Sequence, residues 1–173
     1  MDRVEIEKGI QVTLEKAKVT EKLKRAGLPI PSKPKEVVEN IDLFSEWEII
    51  KNKHGGIANI PFNDLGSWLD KWSAMAAYAR WTEAVADIKQ TTSREVRDTV
   101  KKQLYTLQEG GREIRDAMVH VESLYIEWQN KFVEDSALYT AVKGLREGYE
   151  FRQAAISREI TRRTGDAVRH HGA

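Results

Sequence analysis

From Phe62 onward, apolar residues recur every three or four positions with no proline among them. Pro29, Pro31, Pro34 and Pro61 all lie in the first 61 residues. This pattern predicts two very long helices that meet at Gly110-Gly111, the one strong break before about Arg163. The first should start near Pro61, with Asn63 as its N-cap, and run to about Gln108. Its apolar residues change side along the way. Leu65, Trp68, Leu69, Trp72, Met75, Ala76 and Ala79 share one face. Tyr78, Trp81, Val85 and Ile88 fall on about the opposite face, and Val96, Val100, Leu104 and Leu107 lie nearer that second face. A helix with two apolar faces must touch two different things: the N-terminal region, and either the second long helix or a neighbouring subunit. A break at Thr91-Thr92-Ser93, poor helix-interior residues, is the alternative.

The second long helix should span about Arg112 to Arg163. Positions seven apart read Ile114, Val121, Trp128, Asp135, Val142, Tyr149 and Ile156, with companions Met118, Tyr125, Phe132 and Tyr139 that drift to Leu145 and Arg152. Such a heptad-like seam packs against another helix. Asp135 is its one polar member. Buried, it would fix register or partner number; a slight rotation of the helix leaves it wet, and that is the expectation here. Gly144 and Gly148, four apart, are taken as chance.

Before Pro61 the pattern is shorter. Residues 4–26 read as a helix with a rough stripe of Val4, Ile10, Leu14, Val19 and Leu23, closed by Gly27 at the C′ position. Residues 28–34 form an extended proline linker. Residues 34–51 suit a second helix with Pro34 at its first position. Val37, Val38, Ile41, Phe44, Trp47 and Ile50 make a clean stripe there, and the loop 52–56 ends it. The fold class is therefore all-α: an N-terminal helical arm over 1–60, then a long antiparallel helical hairpin over 61–173 with coiled-coil-like packing. The aromatic load of Trp68, Trp72, Trp81, Trp128, Phe132, Tyr139 and Tyr149 exceeds what one hairpin hides. These residues are the expected interface of a homo-oligomer.

Composition narrows the setting. Of 173 residues 32 % are charged, 28 basic against 27 acidic, for a net charge of +1. That balance favours neither general nucleic-acid attraction nor an acidic partner. Charge is uneven along the chain: +1 over 1–56, +1 over 57–108, −4 over 109–142 and +3 over 143–173. The second long helix thus runs from acidic to basic, which suits its dipole and also offers a basic tip. With no cysteine, disulfides, thiolate metal sites and cysteine nucleophiles are excluded. The N-terminus lacks the apolar core of a signal peptide, and no run approaches a membrane span, so a soluble cytosolic protein is expected.

Candidate chemistry is sparse. His54, His120, His170 and His171 are the only histidines, and none sits at a helical metal-ligand spacing, although His170-His171 suits adventitious metal. Phosphate loops, dinucleotide turns and nucleophile elbows are absent. The acids Glu109, Glu113 and Asp116 read as surface decoration. The expectation is a protein that is not an enzyme and has no cofactor, metal or small-molecule substrate. Basic residues carry more. Arg94, Arg97, Lys101 and Lys102 follow one helical face that Tyr105 extends. Lys143 with Arg146 forms a second cluster, and Arg158, Arg162 and Arg163 a third. Cations along a groove track phosphates without reading sequence. The same residues equally make a solvated face with ion pairs such as Asp98 to Lys102.

The segment Tyr78-Ala79-Arg80-Trp81, the basic run Arg94 to Lys102, and the final stretch from Trp128 to Arg163 with its arginine-rich turns resemble the bacteriophage recombination mediators of the UvsY type. The resemblance covers roughly residues 68–163. It implies a small helical oligomer that binds single-stranded DNA, helps load a recombinase, and works in the cytoplasm of a phage host. The architecture suits two other readings: a structural or DNA-packaging component of a phage particle, such as a small-terminase-like ring or a scaffold, and a helical adaptor that binds a host protein.

Overall fold

The computed structural model describes residues 3–171, with side chains from 4 to 167. Among the described residues there are seven helices and no strand: α1 (Arg3–Lys16), α2 (Val19–Arg25), α3 (Lys35–Val38), α4 (Leu43–His54), α5 (Phe62–Leu107), α6 (Arg112–His120) and α7 (Ser123–His171). A single 3-10 turn covers Ile57–Asn59. None of these helices is long and apolar enough to cross a membrane. The chain forms two compact units, Met1–Ile30 with Thr82–Val142, and Pro31–Trp81 with Lys143–Ala173. Each takes part of the N-terminal arm and one stretch of each long helix.

The two long helices pair antiparallel. In the first unit Gln90 Nε2 donates to Ser136 Oγ (3.1 Å) and Arg97 Nη1 to Gln129 Oε1 (3.4 Å). In the second, Gln153 Nε2 donates to Ser73 Oγ (3.1 Å) and Arg80 Nε to Glu150 Oε1 (2.6 Å). Within each unit, the α7 number falls as the α5 number rises. Leu65, Trp72, Ala79, Ala86, Ser93 and Val100 of α5 are all buried, as are Asp135, Val142, Tyr149 and Ile156 of α7. Both sets repeat every seven residues. The expected change of side on α5 is thus a slow drift of one seam, because seven residues fall short of two full turns. Tyr78, Trp81, Val85 and Ile88 are only half-buried.

Two expectations about polar residues on this seam are corrected. Helix α5 passes through 91–93 unbroken, since Thr92 Oγ1 donates to the Ile88 carbonyl (2.7 Å) and Ser93 Oγ to that of Gln90 (3.1 Å). Hydroxyls bonded to the preceding turn no longer compete with the helix. Asp135 is not wet: it is 6 % exposed, with Lys131 one turn back placing Nζ 3.5 Å from Oδ1. The lysine head reaches water while its charge faces the carboxylate.

A third helix completes the core of each unit. In the first, Ile6 and Ile10 of α1 join Val96, Val100 and Leu104 of α5, Val119 of α6, and Leu124 and Tyr125 of α7. The expected helix over 4–26 breaks at Ala17-Lys18, where Lys22 Nζ donates to the Lys16 carbonyl (2.6 Å) and so caps α1. Gly27 ends α2 as expected. It adopts the left-handed φ of +70° that lets Leu28 N–H reach the Leu23 carbonyl.

In the second unit, Leu43 and Trp47 of α4 join Ile60, Leu65, Trp68, Trp72, Met75, Ala76 and Ala79, with Tyr149 and Ile156 of α7. The expected helix over 34–51 splits at residues 39–42. Pro34 is the N-cap of α3 rather than its first helical residue, and Val38 is exposed. Asp42 caps α4, with Oδ1 accepting from the N–H groups of Phe44 (3.1 Å) and Ser45 (3.2 Å). The Ser45 hydroxyl, helped by these backbone bonds, holds its carboxyl below the usual range. Asn63 lies inside α5 and is not its cap; the Pro61 carbonyl accepts from Leu65 N–H instead.

The second long helix also differs from its expected bounds. It breaks at Val121-Glu122, and α7 then continues to His171, past Arg163 and Gly165. The side chains of Arg169, His170 and His171, and the residues Gly172 and Ala173, lie outside the described part.

Trp72 is 0 % exposed and its ring lies against Phe44 of α4, Trp68 of α5 and Tyr149 of α7. Trp72→Ala should lower stability to urea unfolding by about 3–5 kcal/mol. Leu138→Ala, at an exposed position, should stay within about 0.5 kcal/mol. Equal losses at the two sites would refute this placement of the core.

Candidate functional site

The nine basic residues singled out from the sequence do not form one free cationic face. Arg97 lies against Asp98 (Nη2 to Oδ1 2.7 Å), and its guanidinium sits 4.4 Å from the centre of the Phe132 ring. Asp98 is therefore held by Arg97, not by Lys102. Lys101 reaches Asp116 (3.1 Å) and His120 Nε2 (3.2 Å). The hydrogen bond from Lys101 is the main reason Asp116 stays below the usual carboxylate range. Arg146 is held by Glu150 and Glu147. Arg158 donates to the Ala154 carbonyl on its own helix (3.2 Å). Arg94, Lys102 and Lys143 are exposed and carry no hydrogen bond or ion pair among the described residues.

Arg162 and Arg163 form a clamp. Glu159, only 9 % exposed, accepts from Arg162 Nη2 and from Arg163 Nε, both at 2.7 Å. Arg163 then donates to the carbonyls of Ile60 (2.7 Å) and Ile57 (3.0 Å), ties the 3-10 turn to α7, and satisfies two part-buried acceptors. Its role is structural, set by an i, i+3, i+4 spacing that is visible in the sequence as Glu159, Arg162 and Arg163.

The seven aromatic residues expected at an oligomer interface are covered within the chain to differing degrees. Trp68, Trp72 and Tyr149 are buried, because α4 lays Phe44 and Trp47 over them. Ring centres are 5.2 Å apart for Trp47 with Trp68, 5.5 Å for Phe44 with Tyr149 and 5.8 Å for Trp72 with Tyr149. The Arg152 guanidinium lies 4.5 Å from the Phe44 ring centre. Trp81, Trp128, Phe132 and Tyr139 are half-buried. Helix α4 of the N-terminal arm thus covers Trp68, Trp72 and Tyr149 within the chain, while the other four keep part of their surface open.

Among the large apolar side chains that stay exposed, three stand together on and just after α6. Ile114, Met118 and Val121, the first members of the expected seam, are 59, 48 and 73 % exposed. With Ala117 they stand at i, i+3, i+4 and i+7, one apolar stripe facing outward. The polar side of α6 faces the core of the unit. Lys101 holds Asp116, the Arg115 guanidinium lies 4.6 Å from the Tyr105 ring centre, and Val119 is the one buried apolar residue of the helix. The break at Val121-Glu122 causes the inversion, since it lets Leu124 and Tyr125 enter the core in place of the earlier stripe.

The described residues also form shallow, open grooves. One, of about 220 Å³ in the second unit, is lined by Trp47, Ile57, Phe151 and Ala155, with Glu48, Lys51 and Arg152. No group of three or more metal-ligating side chains is gathered among the described residues. Comparison with protein-family models, curated proteins and solved structures finds no match to this chain.

The arginine bonds pull the Glu159 carboxyl from its ordinary 4.5 down to about 2. A carboxylate whose folded value lies below its unfolded one stabilises the fold above the unfolded value, and that stabilisation is lost as pH falls towards the folded one. Glu159→Gln should therefore be less stable than the parent by about 1–2 kcal/mol at neutral pH. The difference should shrink between pH 4.5 and 2. Urea titrations across that range test it, and a difference that is independent of pH would remove the clamp from the account.

Proposed function

We propose that this chain is a non-enzymatic helical assembly protein, a structural or adaptor component that works by laying helix faces against another macromolecule. The observation that supports this most is the outward apolar stripe of α6. A nine-residue helix is too short to be stable in water alone and draws its stability from what it packs on. Here the body of the unit takes the polar side, and the side worth most when buried, at about 25 cal/mol per Å² of apolar area, is left for a partner. Exposed Ile126, Val133 and Leu138 on α7 enlarge the apolar surface of the same unit.

A second reading is single-stranded DNA binding of the kind the resemblance to UvsY-type mediators implies. Its support is the exposed Arg94, Lys102 and Lys143, which have no partner among the described residues, together with the exposed Arg158. These would act as phosphate contacts, not base readers.

The two readings separate in one experiment: light-scattering mass and binding to labelled single-stranded and duplex oligonucleotides, measured across a salt series in the same buffers. The assembly reading expects a mass above the 19.8 kDa of one chain. It also expects DNA affinity no tighter than the non-specific range of about 10⁻⁴–10⁻⁶ M at physiological salt. Tight, salt-steep preference for single strands, flattened when Arg94, Lys102, Lys143 and Arg158 become alanine, would put the second reading first.

A further inference from the structure

The assembly reading leaves open what covers the α6 stripe, and the chain itself carries a surface that fits. Ile114, Met118 and Val121 have the spacing with which an amphipathic helix enters an apolar groove. The groove in the second unit has the matching walls: Trp47 and Ile57 on one side, Phe151 and Ala155 on the other. Phe151, 67 % exposed, forms an open lip, as Val121 does on the helix. Charge matches as well. The 109–142 stretch that carries α6 is −4 overall, and beside the stripe Glu109, Arg112 and Glu113 are exposed, a local excess of acid. The 143–173 stretch that carries the groove's α7 wall is +3, with Lys143 and Arg158 exposed, and the groove is lined by Lys51 and Arg152 with Glu48, which pairs with Lys51 (2.7 Å), a local excess of base.

We propose that α6 of one copy docks in the α4–α7 groove of a second copy. This rests on the assembly reading and adds the partner to it. Two α6 stripes packed on each other would bring net negative against net negative, and two grooves net positive against net positive. Stripe in groove is the pairing that joins opposite signs. Because the two surfaces differ, every copy offers one of each. The contact is heterologous and extends to a closed ring or an open filament.

The test uses full-length Met118→Asp and Phe151→Asp. Both positions are exposed, so neither change disturbs a core, and circular dichroism checks that the helices persist. Self-association is followed by analytical ultracentrifugation over a wide concentration range. Each variant alone should associate about 30-fold or more weakly than the parent, the loss expected of a contact anchor. An equimolar mixture should regain a single contact, between the intact helix of Phe151→Asp and the intact groove of Met118→Asp. It should give a 1:1 pair of twice the 19.8 kDa chain mass. Raised salt should weaken that pair. Variants that associate like the parent overturn the docking and leave the assembly reading standing. Variants that both weaken without rescue on mixing overturn it in favour of a symmetric contact. A parent chain that stays at 19.8 kDa at every concentration overturns the docking and the assembly reading together.

Discussion

Two long helices paired side by side can hide only one flank of each, and α5 has apolar residues beyond the flank that α7 covers. Everything else in the chain answers to that constraint. In the second unit α4 supplies the missing cover, with Leu43, Phe44 and Trp47 over Trp68 and Trp72. In the first unit α1 does so, with Ile6 and Ile10 over Val96, Val100 and Leu104. Burying an indole the size of Trp72 removes about 200 Å² from water, roughly 5 kcal/mol of gross driving force. That exceeds the cost, on the order of 1–3 kcal/mol, of its indole N–H, which has no acceptor among the described residues.

Several of the charged side chains close packing edges of this architecture. Arginine recurs where a planar cation can close a packing edge. Arg97 lies over Phe132, Arg115 over Tyr105 and Arg152 over Phe44, each between 4.4 and 4.6 Å from the ring centre. Arg163 does the equivalent for backbone, binding the Ile57 carbonyl of the 3-10 turn and that of Ile60 just after it, while Glu159 fixes its orientation. Cations in such positions have little freedom left to follow a phosphate backbone. Sequence spacing alone shows that they share a helix face, but whether the face is wet depends on which acids and rings arrive from other elements.

Helix α6 shows how a two-residue break redirects a surface. A seam that ran unbroken from Ile114 would have brought Ile114, Met118 and Val121 into the core. The interruption at Val121-Glu122 resets the phase, so Val119, Leu124 and Tyr125 go inward and the earlier stripe goes outward. Lys101, Asp116 and His120 then gather on the inward polar side. An apolar stripe and an acidic flank on one unit, and a groove with basic residues on the other, follow from this phase change.

Much was legible in the sequence. Helix type, the absence of proline after Pro61, the Gly110-Gly111 turn and the seam residues Trp72, Val142, Tyr149 and Ile156 follow from periodicity, because burial on a helix repeats with its turn. Gly27 was legible for a related reason: few other residues tolerate a left-handed end. Tertiary structure alone decided the rest. It broke the second long helix at Val121-Glu122, buried Asp135 beside Lys131, made Asp42 a cap, and turned Arg163 into a clamp. It also hid Trp68, Trp72 and Tyr149 beneath α4. The physical reason is common to all of these. Periodicity states that a stripe must be covered, whereas which element covers it depends on contacts between residues as far apart in the chain as Trp47 and Trp68 or Ile57 and Arg163. Local propensity carries no information about such pairs.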